Sequence, residues 1–342
     1  MTINKISGNY ASNLVFSWKK GDLTVQQLAV IANHSSNLFS EAEKQFCVLN
    51  IFELQKLAAL IPEFGKLYDN ERIRWTGNRF DFDLTTTPLI FAILNVSPES
   101  FYAHESSNLD TFLRDTEAKL AHGAKVLELG GKSTRPHYDN SQITTEQEWE
   151  RIKRYLVPIK KEFPEAIISI DTDNVEVMRR SLEYGADVWN DITGFKGEGK
   201  MEFLAKQKPA IVPMFNDRDS ELNDPIASMM DFFKDFLTQT KKIGLRKSSI
   251  VLDPGIGYSR NSSSHEDLDK LNAYRDLSQF DCPLLVAISH KSFMSKEIPN
   301  CDSLELTLLS ELRMIQNGGR VLRVHDIKET QDMLDIFYRT IK

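Results

Sequence analysis

Eight short apolar runs, each trailed by a longer amphipathic stretch, fill this chain from residue 89 to its end. The runs cover 89–94, 125–129, 166–170, 186–190, 210–214, 249–252, 284–288 and 321–324. They are continuous rather than alternating, as parallel strands covered on both faces should be. The stretches between them, 109–122, 145–162, 175–184, 200–206, 225–243, 266–279, 303–317 and 328–341, carry helical spacing. Eight strand–helix units in roughly 250 residues match the size of a closed (β/α)8 TIM barrel. An open doubly wound sheet is the alternative, and it rarely uses eight such regular units.

Local signals agree with the alternation. Thr144 followed by Gln147 spells a capping box, with Thr145 a second candidate cap. Gly123, Gly185, Gly244 and Gly318 stand where a helix should stop before the next strand. Upstream, Gly77-Asn78 between Arg74-Trp75 and residues 80–84 predicts a hairpin, placed where it would plug the bottom of such a barrel. Residues 29–67, including the apolar stretch 46–60, read as two or three helices with no strand. The expected organisation is therefore a helical N-terminal extension, 1–71, and a barrel, 72–342, with the boundary near Tyr68 to Arg72.

The net charge of −7 argues against a general nucleic-acid binder or a membrane-surface protein, so an anionic ligand must be held by a local cluster of cations. Cys47, Cys282 and Cys301 lie far apart without a CxxC pair, which suits a reducing cytoplasm. Residues 1–5 lack the apolar core of a signal peptide, and runs such as 88–94 and 283–288 are too short to span a bilayer.

Polar residues follow every apolar run. Asn95 closes the first, and the second leads into Ser133-Thr134-Arg135-Pro136. Asp171, Asn190-Asp191 and Asn216 follow the next three; Asp253, His290-Lys291-Ser292 and Arg323 with His325 follow the last three. The C-terminal rim of a barrel is where such enzymes place their sites. Asp171, Asn190, Asp253 and Lys291 suit a flat heterocycle that both donates and accepts hydrogen bonds, since a carboxylate accepts two parallel N–H bonds from an amino-pyrimidinone edge. Arg135, Arg323 and His325, with the hydroxyls of Ser133 and Thr134, suit a phosphate or pyrophosphate. Asn95 offers an oxygen to Mg²⁺, which takes few protein ligands when a phosphate supplies others.

These residues carry a resemblance. Residues 93–101, Ile-Leu-Asn-Val-Ser-Pro-Glu-Ser-Phe, look like the dihydropteroate synthase signature ILNVTPDSF, and residues 130–136 resemble its GGESTRP. Ile170-Asp171-Thr172, Asn190-Asp191, Leu252-Asp253-Pro254-Gly255, Ser289-His290-Lys291-Ser292 and Arg323-Val324-His325-Asp326 are similar to its other motifs, in the family's order, from about Phe80 to the C-terminus. The resemblance implies a transferase of folate biosynthesis. It would join 6-hydroxymethyl-7,8-dihydropterin pyrophosphate to p-aminobenzoate and release pyrophosphate. Asp171, Asn190, Asp253 and Lys291 would hold the pterin; Ser133, Thr134, Arg135, Arg323 and His325 the pyrophosphate; and Asn95 the Mg²⁺. Pro136, Tyr258 and Ser292 would line the second-substrate pocket. Lys291, Arg323 and His325 would be catalytic, and the chain would pair as a homodimer.

The match departs from the family around the second substrate. Ser97 and Glu99 replace Thr and Asp, and Tyr258-Ser259-Arg260 stands for Phe-Gly-Lys. His290 replaces Arg, Phe215 stands where a His is usual, and Lys132 replaces Glu and reads as a solvated lysine. A non-catalytic pterin-binding paralogue and a pterin-dependent methyltransferase on the same scaffold are the alternatives. The Ser-Thr-Arg-Pro element argues against the methyltransferase, because a methyl donor has no pyrophosphate to grip.

Overall fold

The computed structural model describes residues 3–9, 11–95, 108–132, 142–260 and 263–341, with the side chains of Asn95 and Ile341 outside the description. The expectations for Ser133, Thr134, Arg135 and Pro136 therefore lie outside the described residues.

Residues 3–70 correct the all-helical expectation. They form four antiparallel strands, β1 (Asn4–Ser7), β2 (Leu14–Lys19), β3 (Asn37–Glu41) and β4 (Lys44–Leu49), ordered β1-β2-β4-β3. Helix α1 (Val25–His34) precedes β3, and α2 (Ile51–Leu60) and α3 (Pro62–Asn70) follow β4. The apolar run 46–60 looks like one helix, but Asn50 divides it. Its Oδ1 accepts the Phe52 and Glu53 N–H groups at 3.0 and 2.9 Å, and Glu53 Oε2 accepts the Asn50 N–H at 2.7 Å. That capping box starts α2 and leaves the preceding residues free to pair as a strand. The β3–β4 turn passes through Ala42 at φ 47°, with no Asn-Gly pair to announce it in the sequence.

The hairpin at Gly77-Asn78 forms as expected. Strands β5 (Arg74–Thr76) and β6 (Asp81–Asp83) pair antiparallel, with Trp75 opposite Phe82. Trp75 is fully buried and its ring stacks on Phe91, centroids 6.1 Å apart. One apolar cluster joins it to Phe16, Trp18 and Phe64 of the N-terminal layer and to Val126, Ile167, Val188, Val212, Val251, Leu285 and Val321. The hairpin and N-terminal layer thus share a core with the barrel interior.

The barrel strands are β7 (Leu89–Asn95), β8 (Ala124–Gly130), β9 (Ile167–Asp171), β10 (Val188–Asp191), β11 (Ala210–Pro213), β12 (Leu284–Val286) and β13 (Gly319–Val324). They are parallel in the order β11-β10-β9-β8-β7-β13-β12. Residues 250–253 supply the eighth member. Ile250 bridges to Ile211 and Asp253 to Met214 on one side, and Leu252 bridges to Leu284 on the other, which closes the ring. Around it run α4 (Leu109–Ala121), α5 (Thr145–Glu162), α6 (Val175–Glu183), α7 (Lys200–Gln207), α8 (Pro225–Lys242), α9 (Ser264–Asn272), α10 (Ser292–Glu297), α11 (Ser303–Gln316) and α12 (Ile327–Ile341). The stretch expected as one helix over 266–279 is α9 followed by a 3-10 turn, and the short α10 has no counterpart in the sequence reading.

Thr144 caps α5 through the expected box with Gln147. Thr145 instead accepts the Asn174 side-chain amide at 2.8 Å. Thr144→Ala should cost about 1 kcal/mol in urea unfolding, the usual loss for an N-cap hydroxyl. An unchanged midpoint would mean that packing of Trp149, Ile152 and Leu156 alone sets the start of α5. Gly123 and Gly318 end α4 and α11 at φ 107° and 102°, a region that side chains avoid.

The two-residue period of a strand then decides what faces inward. Val126, Ile167, Val188, Val251 and Val321 belong to the interior cluster, while Leu127, Ile168, Trp189, Leu252 and Leu322 pack outward under the helices. Two positions further along the inward set stand Glu128, Ser169, Asn190, Asp253 and Arg323. The apolar interior ends there and a polar ring begins.

Candidate active site

The ring is organised around Arg323. From β13 its Nε donates to Glu128 Oε2 on β8 at 2.6 Å, and its Nη2 donates to Asp171 Oδ2 on β9 at 3.2 Å. Glu128 is 1% exposed, and its Oε1 accepts the Asn190 Nδ2–H at 2.8 Å. Glu128, which the sequence reading passed over, is therefore the hub that ties Arg323 to Asn190. The signal was available: it is the single charged residue in the run 126–131, and barrel interiors do not bury carboxylates without a partner. Burial and then the Glu128 charge raise the Asp171 carboxyl above the ordinary range, against the pull of Arg323. The same two carboxylates hold the Arg323 guanidinium above its usual value against its own burial. Arg323, expected among the phosphate-binding cations, is thus coupled to the side of the ring expected to read the heterocycle.

Asn190 spends its Nδ2 on Glu128 and keeps Oδ1 buried, with no donor among the described residues. Such an acceptor costs free energy unless a donor arrives. Asp253 Oδ1 accepts the Gly255 N–H at 2.8 Å. Burial raises this carboxyl, and the Gly255 N–H, Lys291, Arg323 and Lys270 pull the other way.

Lys291 is half-buried, with Nζ 4.5 Å from the centroid of the Tyr258 ring. Burial lowers its ammonium to about 8, the Arg323 charge adds to this, and Asp253 opposes it. Gly257, at φ 84°, makes room for this lysine: a Cβ there would stand 2.8 Å from Lys291 Cδ. Tyr258 is buried, and its loop is pinned by Asp267, which accepts the Gly257 N–H at 2.7 Å and the Ser259 hydroxyl at 2.6 Å. Ser292 opens α10 directly after Lys291 and is exposed.

His325 lies beside Ser289, with Nδ1 and Oγ 3.0 Å apart, and the His325 backbone N–H points at the same oxygen from 3.4 Å. The Ser289 hydroxyl can donate to Nδ1 or accept from it, so this contact suits either tautomer of the ring. Burial, then the Arg323 and His290 charges, push the imidazole down to about 3. That favours the neutral imidazole, a hydrogen-bond donor, at pH 7. His290, at φ 53°, is held between Asp326 Oδ2 at 2.6 Å and Ser303 Oγ at 2.9 Å.

Lys132 is not solvated as expected. Its Nζ lies 2.6 Å from the fully buried Glu148 Oε2 and 3.4 Å from Asp173 Oδ1. Burial opposes the ammonium charge, but Glu148 prevails and holds it above the ordinary range. Lys132 neutralises a buried carboxylate at the entrance to the segment carrying Ser133 to Pro136. Asn95 ends β7 in register with Gly130, which is itself in register with Asp171. Among the described residues there is no group of three or more His, Cys, Asp or Glu side chains able to hold a metal.

The barrel agrees with the relatives of this chain. The family described as pterin binding enzyme matches residues 91–325. A dihydropteroate synthase of Synechocystis is 30% identical over 259 residues, 72% of this chain and 88% of that protein. That of Escherichia coli is 28% identical over 264 residues, 74% of this chain and 92% of its own length. The solved Yersinia pestis dihydropteroate synthase with a sulfonamide drug superposes with a TM-score of 0.69 at 26% identity, over 79% of this chain and all of that one. Glu128, Asp171, Asn190, Asp253 and Arg323 all lie within the matched span, and the chain belongs to the dihydropteroate synthase family of pterin-binding enzymes.

Proposed function

We infer that the protein is a transferase of folate biosynthesis that condenses 6-hydroxymethyl-7,8-dihydropterin pyrophosphate with p-aminobenzoate, giving 7,8-dihydropteroate and pyrophosphate. The observation that carries this reading is the buried Asn190 Oδ1 without a donor among the described residues, standing in one ring with Asp253 and Lys291. An amino-pyrimidinone edge supplies N–H donors to Asp253 and Asn190, while Lys291 donates to a carbonyl or ring nitrogen. Burial raises the Asp253 carboxyl, and two N–H groups donating to it favour its ionised form.

The chemistry needs little more than placement and charge. The aniline nitrogen attacks the exocyclic methylene, and the bond to the pyrophosphate oxygen breaks with its electron pair leaving on that oxygen. The proton released from nitrogen goes to solvent or to the departing anion. An aniline is neutral at pH 7, so no dedicated base is required. Arg323, held by Glu128 and Asp171, turns its remaining edge to the pyrophosphate, and His325 donates to it from its imidazole. Ser133, Thr134 and Arg135 complete the grip, and Pro136, Tyr258 and Ser292 receive the aminobenzoate.

Mg²⁺ is the proposed cofactor. A hard cation that shares substrate phosphate oxygens needs only one or two protein oxygens, and Asn95, closing β7 at the level of the ring, is the residue that would hold it. The ion would offset charge on the leaving group. Pyrophosphate release should require p-aminobenzoate, stop on chelation with EDTA and return with Mg²⁺. Tight pterin binding without aminobenzoate-dependent release would sink the synthase reading, and EDTA-insensitive release the metal.

A homodimer is proposed on the apolar residues left exposed on the last two helices, Leu309 at 66% and Ile336 at 60%; sedimentation at the monomer mass would overturn it. The cysteines are free thiols, which supports a cytoplasmic setting. Among the described residues no helix is long and apolar enough to cross a membrane.

A further inference from the structure

The loop after β11 carries an arginine that the resemblance does not assign. Asp217, 2% exposed, forms a 2.7 Å ion pair with the fully buried Lys270, and Asn216 Nδ2 donates to Ile192 O at 3.1 Å. Asn216 Oδ1 in turn accepts the Arg218 N–H at 3.1 Å. Between these anchors Arg218 lays its guanidinium on the Tyr258 ring, Cζ 4.3 Å from the centroid. The same ring carries Lys291 Nζ at 4.5 Å, so the two cations lie no further apart than the sum of those distances. Arg218 Nη2 is buried and has no hydrogen-bond partner among the described residues. A buried guanidinium donor with neither carboxylate nor carbonyl is costly, and a planar anion relieves it best.

The anion is identified by position. The residues proposed for the pyrophosphate and Mg²⁺ lie on or after β7, β8 and β13, which are neighbours in the barrel. Arg218 and Tyr258 follow β11 and residues 250–253, on the far side of the closed ring. An anion held there lies across the barrel mouth from those residues. The one other anion in the reaction is the carboxylate of the second substrate. We propose that Arg218 is a specificity-determining residue that binds the carboxylate of p-aminobenzoate, with the Tyr258 ring as its platform. This rests on the synthase reading of the same site.

The test compares p-aminobenzoate with its uncharged amide, p-aminobenzamide. The natural chain should favour the carboxylate in kcat/KM by roughly 10–100-fold, the value of a charge-assisted hydrogen bond. Arg218→Gln should erase that preference while leaving the KM for the pterin pyrophosphate unchanged, and Arg218→Lys, which keeps the charge but not the fork, should restore part of it. An unaltered preference in Arg218→Gln, or tighter p-aminobenzoate binding by it, would overturn the proposal; the latter would make Arg218 a gate over Tyr258. Calorimetric titration of p-aminobenzoate, with pterin and pyrophosphate present, reads the same difference without turnover. There Arg218→Gln should bind about tenfold or more weakly, and equal binding, or none by the natural chain, would overturn the assignment. Arg218-dependent binding without pyrophosphate release would sink the synthase reading and leave the carboxylate site standing.

Discussion

Arg323→Met should lower stability by about 3–5 kcal/mol and abolish detectable synthesis, because it strands two buried carboxylates that share one cation. Glu128 is 1% exposed and Asp171 lies beside it at the mouth, and both bond to Arg323 alone among the described basic side chains. The loss should depend on pH in a set direction. The Asp171 carboxyl is already raised above the ordinary range, so the folded protein holds a proton that the unfolded chain releases near pH 4. Stability therefore falls as pH rises from there through the raised value, and Arg323, which lowers that value, limits the fall. Without the arginine the fall extends to higher pH, so the gap between variant and natural chain should narrow on acidification. Urea unfolding at several pH values reads this directly. Glu128→Gln placed on top of Arg323→Met should recover part of the stability, since it removes the buried carboxylate that lost its cation. A deficit independent of pH, or no recovery in the double variant, would mean that Arg323 acts through packing rather than charge.

The features of this barrel that come from period and capping are legible in the sequence. Continuous apolar runs marked the strands, and Thr144 with Gln147 marked α5 to the residue. The polar residues at the strand ends, Asp171, Asn190, Asp253 and Arg323, do assemble into one ring. The failures have physical causes. Glu128 lies inside a strand rather than at its end, so a reading of strand ends skips it, although the inward period places it directly above Val126. The neutral form favoured at His325 comes from burial and the charges of Arg323, His290 and Lys291, which residue type alone does not reveal. Lys132 was read as solvated because its partner, Glu148, lies in the following helix. In the N-terminal layer the strands β3 and β4 turn at Ala42 without a glycine, and a helix box at Asn50 hides inside an apolar run. Each miss is a contact between residues distant in sequence, or a turn with no conformational specialist to mark it.

Lys291→Ala should weaken binding of the pterin pyrophosphate by at least about 100-fold, the cost of removing one partner from a desolvated charged contact. Its ammonium stands close to the buried Asp253, and removing it leaves that carboxylate with fewer charges to hold it ionised. The same lysine should give the enzyme an alkaline limb. Burial brings the Lys291 ammonium down to about 8, so it is mostly protonated at pH 7 and loses its proton within reach of an ordinary pH profile. The free-enzyme profile, kcat/KM for the pterin pyrophosphate, should fall above pH 8 by about tenfold per unit. In kcat the limb should move to higher pH, because bound pyrophosphate favours the charged lysine. Lys291→Arg keeps a charge that does not titrate in this range, so its profile should lose the limb. Its affinity should also drop, since Gly257 leaves little room around the side chain. Unchanged pterin affinity in Lys291→Ala would mean that the ring reads some other part of the substrate. A limb that survives in Lys291→Arg would assign the titration to another group and leave Lys291 only the part of a fixed charge.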